Sequence, residues 1–511
     1  MPMPLSGADW AAALVFVPLL AALGCFLVPR AAHALGLLSA ALILLATLGL
    51  IGSLLGAGPL RLAVGGWGAP LGIDLGADGL SAVLLLMTAL VGLGVSVFAR
   101  AYFAQQRAQQ RWFWPLWLLL WTALNGLYLA ADLFNLYVML EVLGLSAAAL
   151  TALSGGAAAL TAAMRYLLVS LLGSAAYLLG VALLYHAYGT VDIGLLGARV
   201  EAGVVASAAL LAMVAGLLLK TALLPFHFWL PPAHASAPAP VSALLSALVI
   251  KASFYLLVRL WLELFGGLAG WLPALFAELL GLLGAAAVLW GSMQALRQRR
   301  LKLLIAYSTV AQIGYLFLAF PLTGVEAGAL AWRAVVYLAL AHGLAKAAMF
   351  LSAGGLLRFA GHDRIADLDR AVQRLPLTLT AFVLAGVSIM GLPPSGGFIG
   401  KWLLLEAAFT QGRWGLAVVA LLGGVMAAGY VFKVVGYAFT PTEIAQKSEA
   451  VPLAMQWSAL LLAFGAILLG FAAPWLWPLL EVGAPFVPPE MTLDAESLSA
   501  TADTLAAGAA P

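Results

Sequence analysis

The chain is a succession of apolar stretches, each about twenty residues long and bounded by charges, glycine or proline. Runs of that length predict helices that cross a membrane rather than the shorter amphipathic helices of a water-soluble core. Fourteen spans can be counted, centred near Ala21, Leu45, Ala89, Trp121, Leu145, Ala175, Val214, Val249, Ala285, Gly314, Leu344, Val387, Gly424 and Ala463. The first run, from Ala11 to Val28, follows Asp9 and no Lys or Arg, so it reads as a retained span and not as a secretory signal. After Pro478 the chain turns polar and acidic, with Glu481, Glu490, Asp494, Glu496 and Asp503. That tail is expected to be disordered or loosely docked.

With 64% hydrophobic residues, 9% charged residues and a mean hydropathy of +1.07, lipid is the solvent for most of the 511 residues. The expected fold class is an all-α polytopic membrane protein. Cys25 is the single cysteine, which excludes a disulfide framework, a Cys-ligated zinc site and an iron–sulfur cluster held by this chain alone. No G-x-G-x-x-G, P-loop or H-E-x-x-H pattern occurs. No cofactor is therefore expected and no metal ligand set is assigned; redox or ATP chemistry, if it drives this protein, belongs to another subunit. The net charge of +3 forms no basic patch suited to nucleic acid.

Charge position carries more than net charge. Of the 24 Lys and Arg residues, 14 fall in odd-numbered loops, five in even-numbered loops and five inside the apolar spans. The largest odd-loop clusters are Arg100, Arg107 and Arg111; Arg297, Arg299, Arg300 and Lys302; and Arg358, Arg364, Arg370 and Arg374. Cytoplasmic loops keep an excess of Lys and Arg, so both termini are expected on the non-cytoplasmic side of a cell membrane. The five intramembrane cations are Lys220, Lys251, Lys346, Lys401 and Lys433, while every Arg is expected outside the spans. Lysine, unlike arginine, can give up its proton when buried, so the segregation points to proton exchange.

Two stretches must break their helices: Leu224-Pro225-Phe226-His227-Phe228-Trp229-Leu230-Pro231-Pro232, followed by Ala237-Pro238-Ala239-Pro240, and Gly391-Leu392-Pro393-Pro394-Ser395-Gly396-Gly397. Irregular backbone at membrane depth is tolerated only where it is buried in protein or lines a cavity. Lys220 and Lys401 lie near these breaks, 181 residues apart, and a further lysine follows each after 31 or 32 residues, at Lys251 and Lys433. Interrupted helices at matching positions in two halves are the mark of a duplicated transporter core.

Glu141 stands in an apolar span with no basic residue nearby in sequence, and Lys220 is its candidate partner. His342 and Lys346 are four residues apart and share a helix face. Glu141, Lys220, Lys251, His342 and Lys401 form the expected line of groups that take up and release protons. Against this stands snorkelling of lysines towards the interface, the competing reading above all for Lys346 and Lys433. His342 can equally be a histidine bonded to backbone. His227 and His234 lie in the first broken segment, where gating and loop capping are both open. Glu406 and Glu278 read as supporting or helix-end groups, and Asp132 as interfacial.

Three blocks of residues resemble a known superfamily: Lys220-Thr221-Ala222-Leu223-Leu224-Pro225-Phe226-His227-Phe228-Trp229-Leu230-Pro231; Ala237-Pro238-Ala239-Pro240-Val241-Ser242-Ala243-Leu244-Leu245; and Gly391-Leu392-Pro393-Pro394-Ser395-Gly396-Gly397-Phe398-Ile399-Gly400-Lys401. Together they are similar to the proton-translocating antiporter-like superfamily, which includes membrane-arm subunits of complex I, energy-converting hydrogenase subunits and Mrp-type antiporter subunits. The wording looks most like the Mrp D subunit. The resemblance implies about fourteen transmembrane helices with two inverted five-helix repeats, each containing a broken helix. It divides the chain into residues 1–110, with three N-terminal helices; 111–265, the first repeat; 266–440, the second repeat; and 441–511, the last helix and the tail. It also implies that Glu141, Lys220, Lys251 and Lys401 carry protons, and that the chain works beside other membrane subunits, exchanging protons for Na+ or a related cation. The alternative it leaves open is a proton-pumping subunit of complex I or of a hydrogenase. Two departures are Pro232, where relatives commonly carry an acid, and a second break richer in glycine. A membrane enzyme with a lipid substrate would need a His/Asp or Ser/His set near one interface, and none is evident, so the chain is expected to be a transport subunit and not an enzyme by itself.

Overall fold

A computed structural model describes residues 5–70, 72–322, 325–442 and 449–483, without the side chains of 325–327. Three helices open the chain: α1 (Gly7–Leu27), α2 (Ala32–Ala57) and α3 (Gly79–Tyr102), with a hairpin of β1 (Leu60–Ala63) and β2 (Asp74–Ala77) between the second and third. Then come α4 (Arg107–Leu129), α5 (Leu133–Ala152), α6 (Gly156–Tyr188), the short α7 (Ile193–Gly197), α8 (Val204–Thr221), α9 (Leu230–Ser236), α10 (Ala239–Leu244) and α11 (Ile250–Leu260). The second half holds α12 (Trp271–Arg297), α13 (Leu301–Phe317), α14 (Val325–Ala360), the short α15 (Ala371–Arg374), α16 (Pro376–Met390), α17 (Gly396–Thr410), α18 (Trp414–Phe439), α19 (Leu453–Leu468) and α20 (Ala473–Glu481).

All fourteen centres named from the sequence fall in helical residues. Among the described residues, eleven helical segments are long and apolar enough to cross a membrane, and Leu301–Phe317 and Pro376–Met390 are shorter apolar helices. The tail beyond Gly483 lies outside the described residues, but α20 continues past Pro478 to Glu481.

Polar residues in this apolar chain start and stop the helices. Ser6 and Asp9 form a capping box at α1, and Asp78 and Ser81 form another at α3. Asp132 caps α5 by accepting from the amide of Asn135 at 2.7 Å, and Ser395 caps α17. Gly391, with φ of 84°, ends α16 in the left-handed conformation that glycine adopts without penalty.

Burial sorts the helices into an outer and an inner set. On α1, α2, α6, α12 and α18, leucines and aromatics stay exposed on one side, as expected of a lipid-facing surface. The segment from Ala239 to Phe265 and helix α14 each contain an 18-residue stretch that is buried throughout. Close approach between helices depends on glycine. A Cβ on Gly284 would stand 2.7 Å from the carbonyl oxygen of Gly314, and one on Gly173 2.8 Å from that of Gly216, so α12 on α13 and α6 on α8 pack backbone to backbone.

The bundle has two distinct faces. The hairpin, the start of α1 and the end of α20 gather at one, where the amide of Gly79 donates to the carbonyl of Val482 at 2.9 Å. At the other, Arg358 donates to the carbonyl of Ala101 at 3.4 Å, Arg300 pairs with Asp363 at 2.9 Å and the amide of Thr442 meets Asp369 at 3.2 Å. The basic clusters around Arg100, Arg300 and Arg358 therefore share the face opposite both described chain ends.

Two sequence expectations need correction. Arg259 lies within α11 with its side chain only 14% exposed, so arginine is not confined to loops. Its charge is tolerated there because Asp78 and Glu263 meet it at 2.6 and 2.8 Å. Lys302, grouped with the loop arginines, is buried on α13.

Packing at the glycine contacts yields a stability prediction. Gly314→Leu forces α12 and α13 apart and should destabilise the purified protein by about 1–3 kcal/mol, read as a lower thermal midpoint in detergent. Gly52→Leu, with nothing within 4 Å of its Cβ, should leave the midpoint unchanged.

Candidate functional site

The first break sits where α8 stops. Thr221 ends the helix, Ala222 takes a left-handed conformation with φ of 56°, and a 3-10 turn at Phe226–Trp229 leads into α9. Trp229 braces the turn: its indole donates to the carbonyl of Leu219 at 2.9 Å and its ring stacks on Tyr166 at 4.4 Å. Lys220, in the last turn of α8, is buried and donates to the hydroxyl of Ser170 at 2.8 Å, with the carbonyl of Leu140 at 3.5 Å. Gly144 makes room for it, since a Cβ there would approach Nζ to 3.7 Å and collide with Ser170. A cavity of about 10 Å³, on the scale of one water molecule, borders Lys220, Ser170 and Ser253.

Glu141 is half-buried on α5, one residue beyond the carbonyl that Lys220 approaches. The direct ion pair expected between them is not formed: Lys220 turns to Ser170, and the carboxylate acts on it only through space. The reason is geometric, because the Leu140 carbonyl and Gly144 bring the Lys220 side chain against the backbone of α5 beside Glu141.

At the centre, the helix from Ala239 to Phe265 carries a π turn at Leu245–Val249. A π turn widens the helix and shifts its carbonyls out of the α register, a feature common at functional positions. Lys251, fully buried, donates to the Ser246 carbonyl of that turn at 3.0 Å. The Ser246 hydroxyl bonds that of Thr309 on α13 at 2.8 Å. On α14, Lys346 reaches the same helix α13, donating to the hydroxyl of Ser308 and to the carbonyl of Ile305, the latter at 3.2 Å. His342, one turn earlier, is buried within electrostatic range of Lys251, Lys346 and His234, and neither ring nitrogen bonds another protein group. His234 on α9 is likewise buried with both nitrogens free of protein partners, its ring stacked 4.7 Å from Phe350. Lys302 donates to the carbonyls of Ala237 and Ala235, the latter at 3.4 Å, closing the end of α9.

The second break holds Lys401. Gly391 and the Leu392–Pro394 stretch separate α16 from α17, and Lys401 on α17 folds back to donate to the carbonyls of Ile389 at 2.8 Å and Met390 at 3.1 Å. These are the orphan acceptors at a helix C-terminus, where a cation is favoured. Nζ also lies 4.5 Å from the ring centroid of Tyr315, whose hydroxyl donates to the carbonyl of Ala420 at 2.7 Å.

The remaining sequence candidates are scattered. Lys433, paired with Lys251 by spacing, has different surroundings: it is half-buried and donates to the carbonyls of Leu296 at 2.9 Å and Gln298 at 2.7 Å, at the end of α12. His227 is half-buried in the 3-10 turn, and Glu406 is exposed on α17. Asp132 is the cap of α5, and Glu278 pairs with Arg413. Lys302, Ser170 and Tyr315 were missed. Lys302 was hidden by the arginines before it, and nothing in a sequence marks a serine or tyrosine as a lysine's partner. Among the described residues no group of three or more His, Cys, Asp or Glu side chains is placed to hold a metal ion.

Comparison with known proteins places the fold in a family. Residues 130–427 match the family described as NADH:quinone oxidoreductase/Mrp antiporter, transmembrane. The N subunit of the NADH-quinone oxidoreductase of Desulforudis audaxviator (strain MP104C) is 34% identical over 500 residues, covering 91% of this chain and 98% of that protein. The D subunit of the Na(+)/H(+) antiporter of Alkalihalophilus pseudofirmus is 29% identical over 382 residues, covering 74% of this chain and 76% of the relative. Among solved structures, a chain of the Mrp complex from Dietzia sp. DQ12-45-1b superposes with a TM-score of 0.86 at 25% identity, covering 95% of this chain and 98% of that one. The chain is a multi-pass membrane protein and belongs to the NADH:quinone oxidoreductase/Mrp antiporter transmembrane family.

Proposed function

We propose that this chain is the proton-translocating subunit of a multisubunit Mrp-type antiporter, moving protons along Glu141, Lys220, Lys251, His342 and Lys401 in exchange for Na+ or a related cation. One observation carries the reading. Lys220, Lys251, Lys346 and Lys401 are all buried, and each bonds only hydroxyls and backbone carbonyls, with no ion pair among the described residues. A carboxylate partner would lock the ammonium form. A carbonyl or hydroxyl accepts an N–H from the ammonium and from the neutral amine alike, so each site keeps its bonds in both protonation states.

Such a line transfers charge by displacement. A proton arriving near Glu141 changes the field at Lys220, which keeps its bond to Ser170 in either state. Lys251 and His342 pass the change through the centre, where the free nitrogens of His342 and His234 offer sites for water or a proton. Lys401, at a helix end beside the second break, releases the proton towards the far side. Lys346, His227, His234 and Glu406 are supporting groups in this reading, and Lys433 closes the end of α12.

A second reading has a specific observation behind it: the 34% identity to the N subunit of a quinone oxidoreductase, spread over 91% of this chain, favours a redox-driven complex. The block wording favours the antiporter. Purifying the tagged protein from its host decides between them. Small antiporter subunits should accompany it; quinone-reductase subunits in their place would transfer the same proton path to a redox pump.

Three expected outcomes test the path. Glu141→Gln should abolish cation-dependent proton exchange in everted vesicles without loss of membrane insertion, and wild-type exchange would remove Glu141. Lys251→Ala should be inactive and Lys251→Arg should recover little, since an arginine does not give up its proton; a fully active Arg variant would mean that fixed charge suffices. Lys401→Met should stop transport while the subunits still co-purify, and loss of assembly would assign it to a contact instead.

Orientation is tested separately. The basic clusters all sit on the face opposite both described ends, and we read that face as cytoplasmic. A C-terminal alkaline phosphatase fusion should be active and a C-terminal fluorescent protein dark, and the reverse pair of readings would invert the topology.

A further inference from the structure

Helix α11 and the π turn after it, Trp261–Phe265, carry a polar ladder of which the proton line uses only the first rung. Lys251, Tyr255, Arg259 and Glu263 recur every four residues, which puts them on one helix face. They are linked side chain to side chain from the second rung onward. The Nε of Arg259 donates to the hydroxyl of Tyr255 at 2.9 Å, and its two terminal nitrogens reach Glu263 at 2.8 Å and Asp78 at 2.6 Å. The Tyr255 hydroxyl in turn donates to the carbonyl of Tyr128 at 3.1 Å.

Two cavities flank this ladder. The outer one, about 650 Å³, lies beneath the hairpin and is lined by Arg61, Asp78, Tyr255, Arg259 and Glu263 among others. The inner one, about 20 Å³, has room for about one water and is bordered by Lys251, Tyr255, Val258 and Trp332. Tyr255 belongs to both walls, so its side chain and the Arg259 cluster stand between Lys251 and a large vestibule that carries four charged side chains, Arg61, Asp78, Arg259 and Glu263.

We propose that the cavity beneath the hairpin is the aqueous mouth through which protons reach or leave Lys251, with Arg259, clamped by Asp78 and Glu263, as its closed gate and Tyr255 as the partition. The charges fit the role. Two arginines of the wall meet four carboxylates, Arg61 with Asp74 and Asp192 and Arg259 with Asp78 and Glu263, which leaves this rim with a net charge of −2 that draws hydrated protons into the vestibule, while the guanidinium of Arg259, never deprotonated, carries no proton onward. Release of Arg259 from Asp78 would open the way past Tyr255 to the inner cavity. Each proton taken up by the Lys251 amine comes from water in the mouth and each one released returns there, so no other reactant is needed. Arg259 and Tyr255 are positioning residues in this scheme. The proposal rests on Lys251 being a proton carrier, but its access test does not.

Single cysteines in the Cys25→Ser protein, kept within its native complex in membrane vesicles, make that test. Trp67→Cys, 75% exposed on the hairpin connection, marks the hairpin face. Ala198→Cys lines the outer cavity and Val258→Cys the inner one. The probe is a membrane-impermeant methanethiosulfonate ammonium reagent, read by mass on this chain. Ala198→Cys should react from the side that labels Trp67→Cys. Val258→Cys should be protected, and should become reactive from that same side when Arg259→Lys or Glu263→Gln loosens the clamp. Modified Ala198→Cys should also exchange protons several-fold more slowly than the unmodified variant. Continued protection of Val258→Cys in both loosened variants with the complex assembled, labelling only from the opposite face, or unchanged transport after modification would each overturn the mouth. Wild-type transport by Lys251→Ala would overturn the proton line while leaving the labelling result to stand by itself.

Discussion

The constraint on which this structure depends is that backbone carbonyls freed within lipid must find a donor inside the protein. Lysine supplies that donor repeatedly. Lys401 meets the end of α16 and Lys251 the π turn before α11, and near the basic face Lys302 and Lys433 do the same for the ends of α9 and α12. A long flexible stem reaches a helix end from a neighbouring helix, and the ammonium suits the negative end of the helix dipole. Breaking a helix at membrane depth and burying a lysine are thus two halves of one solution.

The same bond makes the buried lysines chemically versatile. Because the acceptor is a neutral carbonyl or hydroxyl, losing a proton does not strand a partner charge, as it would in a buried ion pair. Arg259 is the contrasting case. It is clamped by two carboxylates, and its charge is permanent. The protein thereby places lysines bonded to neutral acceptors along its centre and an ion-paired arginine where the central helix meets the hairpin face.

Relatives of this chain include a subunit of an NADH-quinone oxidoreductase and a subunit of an Na(+)/H(+) antiporter. The local arrangement is neutral between these drives, since no cysteine framework or nucleotide motif in the sequence supplies one. What distinguishes them is the set of neighbouring subunits, and the exposed aromatic and leucine side chains of the outer helices are where lipid or those subunits meet the bundle.

Much of this was legible in the sequence. Apolar run length fixed the helices, since lipid tolerates few other structures. Pro and Gly located both breaks, and the sparse lysines stood out against an apolar background because intramembrane charge is costly unless it is used. The sequence did not reveal which partners those lysines take. Spacing paired Lys251 with Lys433, yet one bonds a buried π turn and the other the end of α12; Glu141 was matched to Lys220, which bonds Ser170 instead. Lys302 looked like one more loop cation. Run length and residue type are properties of the chain and can be read along it. Partnership, burial and the cavity beneath the hairpin depend on which helices lie side by side, and only tertiary packing brings Ser170, Asp78 and the Ile389 carbonyl within reach of their cations.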